Sequence, residues 1–506
     1  MNIRGFKNIS FKKILFALAP LAAFYIFFFV KLDSENPKVA ATLAIAVWMA
    51  VWWVIEIVPL GITSLLPVVL FPLFGVMNGK DVSATYFNHV IFLFIGGFIM
   101  ALAIQKWNLH KRIVLVILNI VGNSPGRLLF GFMFTTFFLS MWISNTATAM
   151  LMVPIIISII HKLELINGKK AVQLFSIGLL LAIAYSASIG GVATLVGTPP
   201  NLSFVRIFEI YFPNAPEISF SKWMLFALPI SVIMFITTWV YLYFVFIKNS
   251  KSWKNITNNE ISDDLKTLGP MTYEERVIGV VFFALAMLWM FRSDLNIGFI
   301  EIKGWANLFS NPTYINDGTI AITMGVLLFA IPSKQKKGTF LMDWKTAEGL
   351  PWEIVLLFGG GFALASGFKE SGLSAWFGEQ LVFLGSMSPF LLIVIIGFII
   401  TFLTEITSNT ATVETFLPIL AGLAISLNVN PLLFMIPATV AGSFAFMLPV
   451  ATPPNAIIFG TKRVSMLKMA KTGLVLNFIG ILVVSLMTYF WGLEIFGFDI
   501  GSFINW

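Results

Sequence analysis

The chain has 506 residues, of which 58% are hydrophobic and 11% charged, with 52 Phe, 15 Trp and a formal net charge of +8. So much apolar length excludes an ordinary soluble domain, since the longest polar stretch, 248–276, is only a connecting loop. The absence of cysteine excludes disulfides, thiolate metal sites and cysteine nucleophiles.

A span needs roughly 20 apolar residues to cross a hydrocarbon core of about 30 Å. The first apolar run, 14–30, follows Arg4, Lys7, Lys12 and Lys13 as a signal peptide would. It lacks a small-residue cleavage site and a second span follows almost at once, so it reads as a retained helix. Taken in order, the runs predict an all-α polytopic membrane protein. Its eleven membrane helices lie near 14–30, 39–55, 60–77, 89–106, 172–205, 225–247, 277–291, 319–332, 351–366, 430–460 and 472–491. Two re-entrant hairpins are expected near 128–160 and 388–425. Trp52-Trp53 reads as an interface anchor or a dimer contact. The stretch KWNLHKR at 106–112 reads as an interfacial linker, and His89, His110 and His161 as loop or interfacial residues. Asn8-Ile9-Ser10 and Asn255-Ile256-Thr257 match a glycosylation pattern by accident, both being expected in the cytoplasm.

With the N-terminus inside and the C-terminus outside, cytoplasmic segments hold 24 of the 32 Lys and Arg. That asymmetry is the positive-inside signal. It also explains the net charge without a nucleic-acid partner, because the cations are scattered over six short membrane-flanking segments.

Within the apolar runs the chain repeats itself. SNTATAMLMVP at 144–154 reappears as SNTATVETFLP at 408–418, an offset of 264. The same offset superposes LFIGGF (93–98) on LFGGGF (357–362), and GTPPN at 197–201 returns as ATPPN at 451–455, now offset by 254. In the expected topology the first glycine-rich helix runs inward and the second outward, so the halves form an inverted repeat. Such repeats can rock between two mirror-related arrangements around a site at their interface.

The segment 128–160 has 33 charge-free residues, too long for one span and short for two. A hairpin entering and leaving on one side puts Ser-Asn-Thr at its tip, where hydroxyls and amides can cap exposed helix ends. Irregular backbone at that depth is tolerated only beside protein or a water-filled cavity. Pro199-Pro200 and Pro453-Pro454 remove backbone donors and push Thr198 and Thr452 towards extended backbone. A helix over 171–205 would be roughly 50 Å long, so a break there also fits its length. Such a break frees carbonyls for a hard cation and points the amides of the restarted half-helix at an anion.

The paired SNT and TPPN motifs and their inverted arrangement resemble the divalent anion:sodium symporter family, particularly its bacterial sodium/dicarboxylate members. The resemblance implies a homodimer whose protomers each combine a scaffold domain with a transport domain moving like an elevator. It implies a first sodium site at Ser140, Ser144, Asn145 and the backbone around Gly197. A second would use Thr404, Thr407, Asn409 and the backbone around Ala451. The dicarboxylate would lie between the tips on Ser144, Asn145, Thr146, Ser408, Asn409 and Thr410, with Thr198, Pro199, Thr452 and Pro453 closing the site.

The implied division is scaffold at 1–122, transport domain at 123–248, a cytoplasmic linker at 249–276, scaffold again at 277–380 and transport domain at 381–506. The implied function is sodium-coupled uptake of C4 dicarboxylates such as succinate, malate and fumarate across the cytoplasmic membrane. A dicarboxylate exchanger and a sodium-coupled citrate or sulfate transporter are the alternatives. Neither hairpin core contains Arg or Lys, so a dianion there needs accompanying cations, and Na⁺ would supply them. Glu405 and Glu414 flank the second motif, where an intramembrane carboxylate is a functional candidate. Met141 and Met150 stand at the matching positions of the first repeat, which favours a structural role for both acids, with hydrogen bonds inside the hairpin. A channel would show rings of charge or carbonyls, and a hydrolase would need a His, Asp or Lys at the polar centre. Neither pattern is present in the motifs.

Overall fold

In an apolar surrounding, every backbone amide must find its partner within the chain, and helices achieve this segment by segment. The computed structural model, which describes residues 3–122, 124–248, 265–297 and 300–497, is accordingly almost all helix. Helices α1 (Ile3–Phe29) and α2 (Pro37–Ile55) pack on each other, followed by α3 (Leu60–Thr63), α4 (Leu66–Leu73), α5 (Gly79–Ala84) and α6 (His89–Lys106). Then come α7 (Leu109–Val121), α8 (Pro125–Ser140), α9 (Asn145–Asn167), α10 (Lys169–Val192), α11 (Pro199–Tyr211) and α12 (Phe220–Leu242). The second half begins with α13 (Tyr273–Met290), α14 (Asp317–Ala330), α15 (Trp344–Ala347), α16 (Trp352–Ser371) and α17 (Leu373–Gln380). It continues through α18 (Pro389–Thr404), α19 (Asn409–Ser426), α20 (Leu432–Ala441), α21 (Pro453–Gly460) and α22 (Met466–Leu486), with the short α23 (Gly492–Phe496) last. Among the described residues, seven helical stretches are long and apolar enough to cross a membrane, with shorter apolar helices between them.

Several expectations change here. The runs 172–205 and 430–460 are each two helices, α10 with α11 and α20 with α21, because Pro-Pro starts a new helix in both. The run 60–77 also divides, at Ser64-Leu65, where Pro67 opens α4. A two-stranded antiparallel pair, β1 (Leu295–Ile297) and β2 (Ile300–Ile302), lies between α13 and α14 with Leu295 opposite Ile302, so the chain is not purely helical. Trp53 is neither an interface anchor nor a dimer contact. It is buried, and its indole N–H donates to Ser64 Oγ at 3.2 Å. Trp52 stacks on Phe16 with ring centroids 4.9 Å apart. Residues 249–264 of the expected linker, with the 255–257 glycosylation pattern, lie outside the described residues.

The repeat extends to turn chemistry. Asn108, before α7, and Gly372, before α17, both take left-handed backbone, with φ of 57° and 80°, and they stand 264 apart. Ser124-Pro125 and Ser388-Pro389 begin α8 and α18 with the same offset, each Ser as N-cap and each Pro in the first turn. The glycine motifs mark close helix approaches. A Cβ on Gly96 would fall 2.4 Å from the backbone of Ala321 in α14, and one on Gly360 would fall 2.5 Å from Ser64.

A buried ion cluster joins the starts of α12 and α14 to the end of α13. Arg292 Nε donates to Asp317 Oδ1 at 2.6 Å and a second guanidinium nitrogen to Glu217 Oε1 at 2.6 Å. Asp317 Oδ2 accepts the Phe220 amide at 2.8 Å. Both Arg292 and Asp317 are buried, so Arg292→Leu leaves an uncompensated carboxylate. The expected cost is about 3–5 kcal/mol, read as a markedly lower melting temperature of the purified protein. Melting within a degree or two of wild type would show that the cluster adds little.

Candidate functional site

Each Ser-Asn-Thr sits where one helix stops and the next begins. Ser144 caps α9, its hydroxyl accepting the Ala147 amide at 3.3 Å, and Ser408 is the N-cap of α19. Asn145 and Asn409 open these helices, and each is held from behind. Ser140 Oγ donates to Asn145 Oδ1 at 2.5 Å, and Thr404 Oγ1 donates to Asn409 Oδ1 at 2.6 Å. With Oδ1 thus engaged, the orientation of each side-chain amide is fixed. Gly191 in α10 packs so closely that a Cβ there would lie 2.5 Å from Asn145 Oδ1.

The broken helices meet these tips. Thr198 and Thr452 adopt extended backbone, with φ,ψ of −143°,139° and −141°,149°, before Pro199 and Pro453 start α11 and α21. The asparagine after each Pro-Pro reaches back across the break. Asn201 Nδ2 donates to the carbonyls of Thr194 at 2.7 Å and Val192 at 3.2 Å. Asn455 Nδ2 donates to Leu448 at 3.0 Å and Ala445 at 3.1 Å. Thr194 and Leu448 are themselves 254 apart, so the same staple closes both breaks. Sequence reasoning passed over Asn201 and Asn455, although their place in both TPPN motifs was the available signal.

One cavity of about 530 Å³ gathers these parts. Its walls include Ser144, Asn145, Thr146, Thr198, Pro199, Ser408, Asn409, Thr410, Thr452 and Pro453, together with Gly197 and Ala451. Ser140 and Thr404 are not part of that wall and lie buried behind the asparagines. Thr407 is also outside it, and its hydroxyl is occupied by the Leu403 carbonyl at 2.9 Å and Thr412 Oγ1 at 2.5 Å. The remaining wall comes from elsewhere: Phe94 and Phe98 on α6, Ile354 and Leu357 on α16, and Glu56 and Leu60 near the end of α2. Apolar helix residues carry no local mark of a lining role, and Glu56 falls between two runs read as spans. Among the described residues, Glu56 is the one ionisable side chain on the wall.

Glu405 and Glu414 make their hydrogen bonds outside their own hairpin, contrary to expectation. Glu405 accepts the amides of Phe446 (2.8 Å), Met447 (2.9 Å) and Leu448 (2.9 Å), and Asn477 Nδ2 at 2.7 Å. It therefore ties the turn before the second tip to the break between α20 and α21. Glu414 is buried between α11 and α16, accepting the Ser203 hydroxyl at 2.8 Å and lying against Gly361. Neither lines the cavity.

The arrangement can hold an anion on hydroxyls, side-chain amides and the starts of four helices, α9, α11, α19 and α21. No clusters of His, Cys, Asp or Glu suited to a metal occur among the described residues. Hard cations therefore have hydroxyl, amide and main-chain oxygens as ligands.

Residues 11–497 match the family described as the sodium:sulfate symporter transmembrane region. A sodium-dependent dicarboxylate transporter, SdcS, of Staphylococcus saprophyticus is 44% identical over 473 residues, covering 92% of this chain and 89% of that protein. SdcS of a bovine Staphylococcus aureus strain is 44% identical over 465 residues, covering 91% and 87%. Among solved structures, the YdaH transporter of Alcanivorax borkumensis aligns with a TM-score of 0.55 at 13% identity, over 84% of this chain and 88% of that one. MtrF of Neisseria gonorrhoeae aligns at 0.56 and 13%, over 91% and 96%. At such identity the two structures speak for the fold alone.

Proposed function

The chain belongs to the sodium:sulfate symporter family, and on that footing we propose that it carries C4 dicarboxylates into the cell together with Na⁺. It is a multi-pass membrane transporter and not an enzyme. The observation that carries the substrate reading is the single cavity on which both Ser-Asn-Thr tips and both Thr-Pro-Pro starts converge without a lysine or arginine. Two tips suit a short linear dianion, one carboxylate beside each. Helix starts offer the equivalent of about half a positive charge each, screened and short-ranged, so the dianion needs cations with it. The relatives named as sodium-dependent dicarboxylate transporters agree with that requirement.

In this reading Ser144, Asn145, Thr146, Ser408, Asn409 and Thr410 hold the substrate, and Thr198, Pro199, Thr452 and Pro453 close over it. Na⁺ takes the hydroxyl, amide and main-chain oxygens around Ser140, Ser144, Asn145 and Gly197, and around Thr404, Thr407, Asn409 and Ala451. Ser140 and Thr404 then act as supports that aim the asparagines as well as candidate ligands. Sodium binds first, because the helix starts and free carbonyls are otherwise held open by hydration. The proposal includes re-entrant hairpins in an inverted repeat, a cytoplasmic N-terminus, an external C-terminus and a homodimer. Its mobile part is 123–248 with 381–506. Glu56, Leu60 and Ile354, on the cavity wall, lie at helix ends that this orientation places inside.

Labelled succinate uptake into proteoliposomes with an imposed Na⁺ gradient tests the reading. The expected result is concentrative uptake that K⁺ does not support and that malate or fumarate inhibits. Equal uptake without Na⁺ would make the protein an exchanger, and stronger competition by citrate or sulfate would reassign its substrate.

A further inference from the structure

Away from the central cavity, the ends of α9 and α21 and the start of α10 enclose a second hollow, of about 370 Å³. Lys169, Lys170, Lys462, Arg463, Gln173 and Ser176 line it with a single acid, Glu164. That acid is already engaged: Arg463 holds both its oxygens, at 2.5 and 3.2 Å. Three lysines thus face the hollow with no further carboxylate on its wall among the described residues.

Two independent observations point to an anion. Helix α10 is 24 residues long and begins there at Gly168 without a side-chain cap, so its first amides point outward unpaired by any capping oxygen. Ser176, about two turns further along, is 2% exposed, and its hydroxyl has no hydrogen-bond partner among the described residues. Lys462 is held at φ 59°, a conformation rare for a residue with a side chain. It lines the hollow just beyond the end of α21.

The surroundings identify the anion's carrier. Next to the lining residues in the chain stand Leu165 (79% exposed) and Ile166 on α9, Leu174 on α10, and Met466 and Leu467 (65% exposed) at the start of α22, exposed apolar side chains that flank the basic hollow. A free anion has no use for such a rim, whereas a phospholipid would lay its chains along it. We propose that this hollow binds the phosphate headgroup of an anionic membrane phospholipid, with its acyl chains on the Leu165–Leu174–Leu467 rim. In the orientation given above it faces the cytoplasmic leaflet, where basic pockets between helices meet such headgroups. The site is independent of the substrate reading. Because it joins the tail of the first hairpin to the second broken helix, an occupied site would hold the two repeats together at that end.

The test uses the full-length protein in nanodiscs and in detergent. Co-purified phosphatidylglycerol is quantified, and thermal stabilisation by phosphatidylglycerol, phosphatidylcholine and inorganic phosphate is compared. The expected result is stabilisation by phosphatidylglycerol alone, with retained lipid and stabilisation reduced at least fivefold in Lys169→Gln/Lys170→Gln and in Lys462→Gly. Glycine at 462 removes the charge while suiting the left-handed backbone, so this variant separates lost binding from lost folding. Lys169→Arg/Lys170→Arg should retain the lipid. Equal stabilisation by phosphatidylcholine would overturn the headgroup assignment, and equal stabilisation by inorganic phosphate would make this a soluble-anion site. Unchanged retention in Lys462→Gly and the glutamine pair would overturn the location.

Discussion

Alanine at Asn145 or Asn409 is expected to weaken both the sodium dependence and the succinate affinity of uptake by about tenfold or more. Each asparagine has Oδ1 fixed by a buried hydroxyl, Ser140 or Thr404, and so presents its remaining groups to the cavity in one orientation. Losing a hydrogen bond to a charged partner costs about 1.5–3 kcal/mol, and Asn145→Ala also takes away the acceptor of Ser140, whereas Thr404 keeps the Gly442 carbonyl at 3.1 Å. The two variants should resemble each other, because the two tips are built alike. Sodium titrations of succinate uptake at fixed protein density measure this. Wild-type sodium dependence and affinity in either variant would defeat the assignment of that tip.

Glu405→Ala is expected to do more damage, and of a different kind. Its carboxylate is the acceptor for three consecutive amides, 446–448, and for Asn477. Each buried donor left unpaired costs about 1–3 kcal/mol, so the loss is on the order of 5 kcal/mol. Such a loss should appear as poor yield and a sharply lower melting temperature, not as a selective change in affinity. Glu405→Asp, which keeps the carboxyl group on a shorter arm, should recover part of the stability. A well-folded Glu405→Ala protein with altered coupling would instead give the residue a part in transport.

Much of the site was legible because its chemistry is local. Ser-Asn-Thr and Thr-Pro-Pro mark helix starts by their own backbone preferences, and their recurrence at fixed offsets tied four such starts together. What escaped was contact across the fold. Phe94, Phe98, Ile354 and Leu357 line the cavity only because α6 and α16 pass beside it, and nothing in an apolar run distinguishes a wall residue from a lipid-facing one. The acids were assigned a structural role, but their partners lie 41 to 72 positions away along the chain for Glu405 and 211 for Glu414. The run 60–77 was read as one span because hydropathy does not register a turn at Ser64-Leu65.

Positions 141 and 405 hold the same place in the two repeats, and both meet the residue that follows at 194 or 448. In the first repeat the Met141 carbonyl accepts the Thr194 hydroxyl at 2.5 Å; in the second the Glu405 side chain accepts the Leu448 amide. The two copies have thus solved one joint with different chemistry: a side-chain hydroxyl on a main-chain carbonyl in the first, a side-chain carboxylate on main-chain amides in the second. In each, a single side chain secures the break and its partner is backbone, so each half carries its own complete joint. Symmetry survives in the outline of the protein, while the residue that holds the break stands in the broken helix in one half and before the tip in the other.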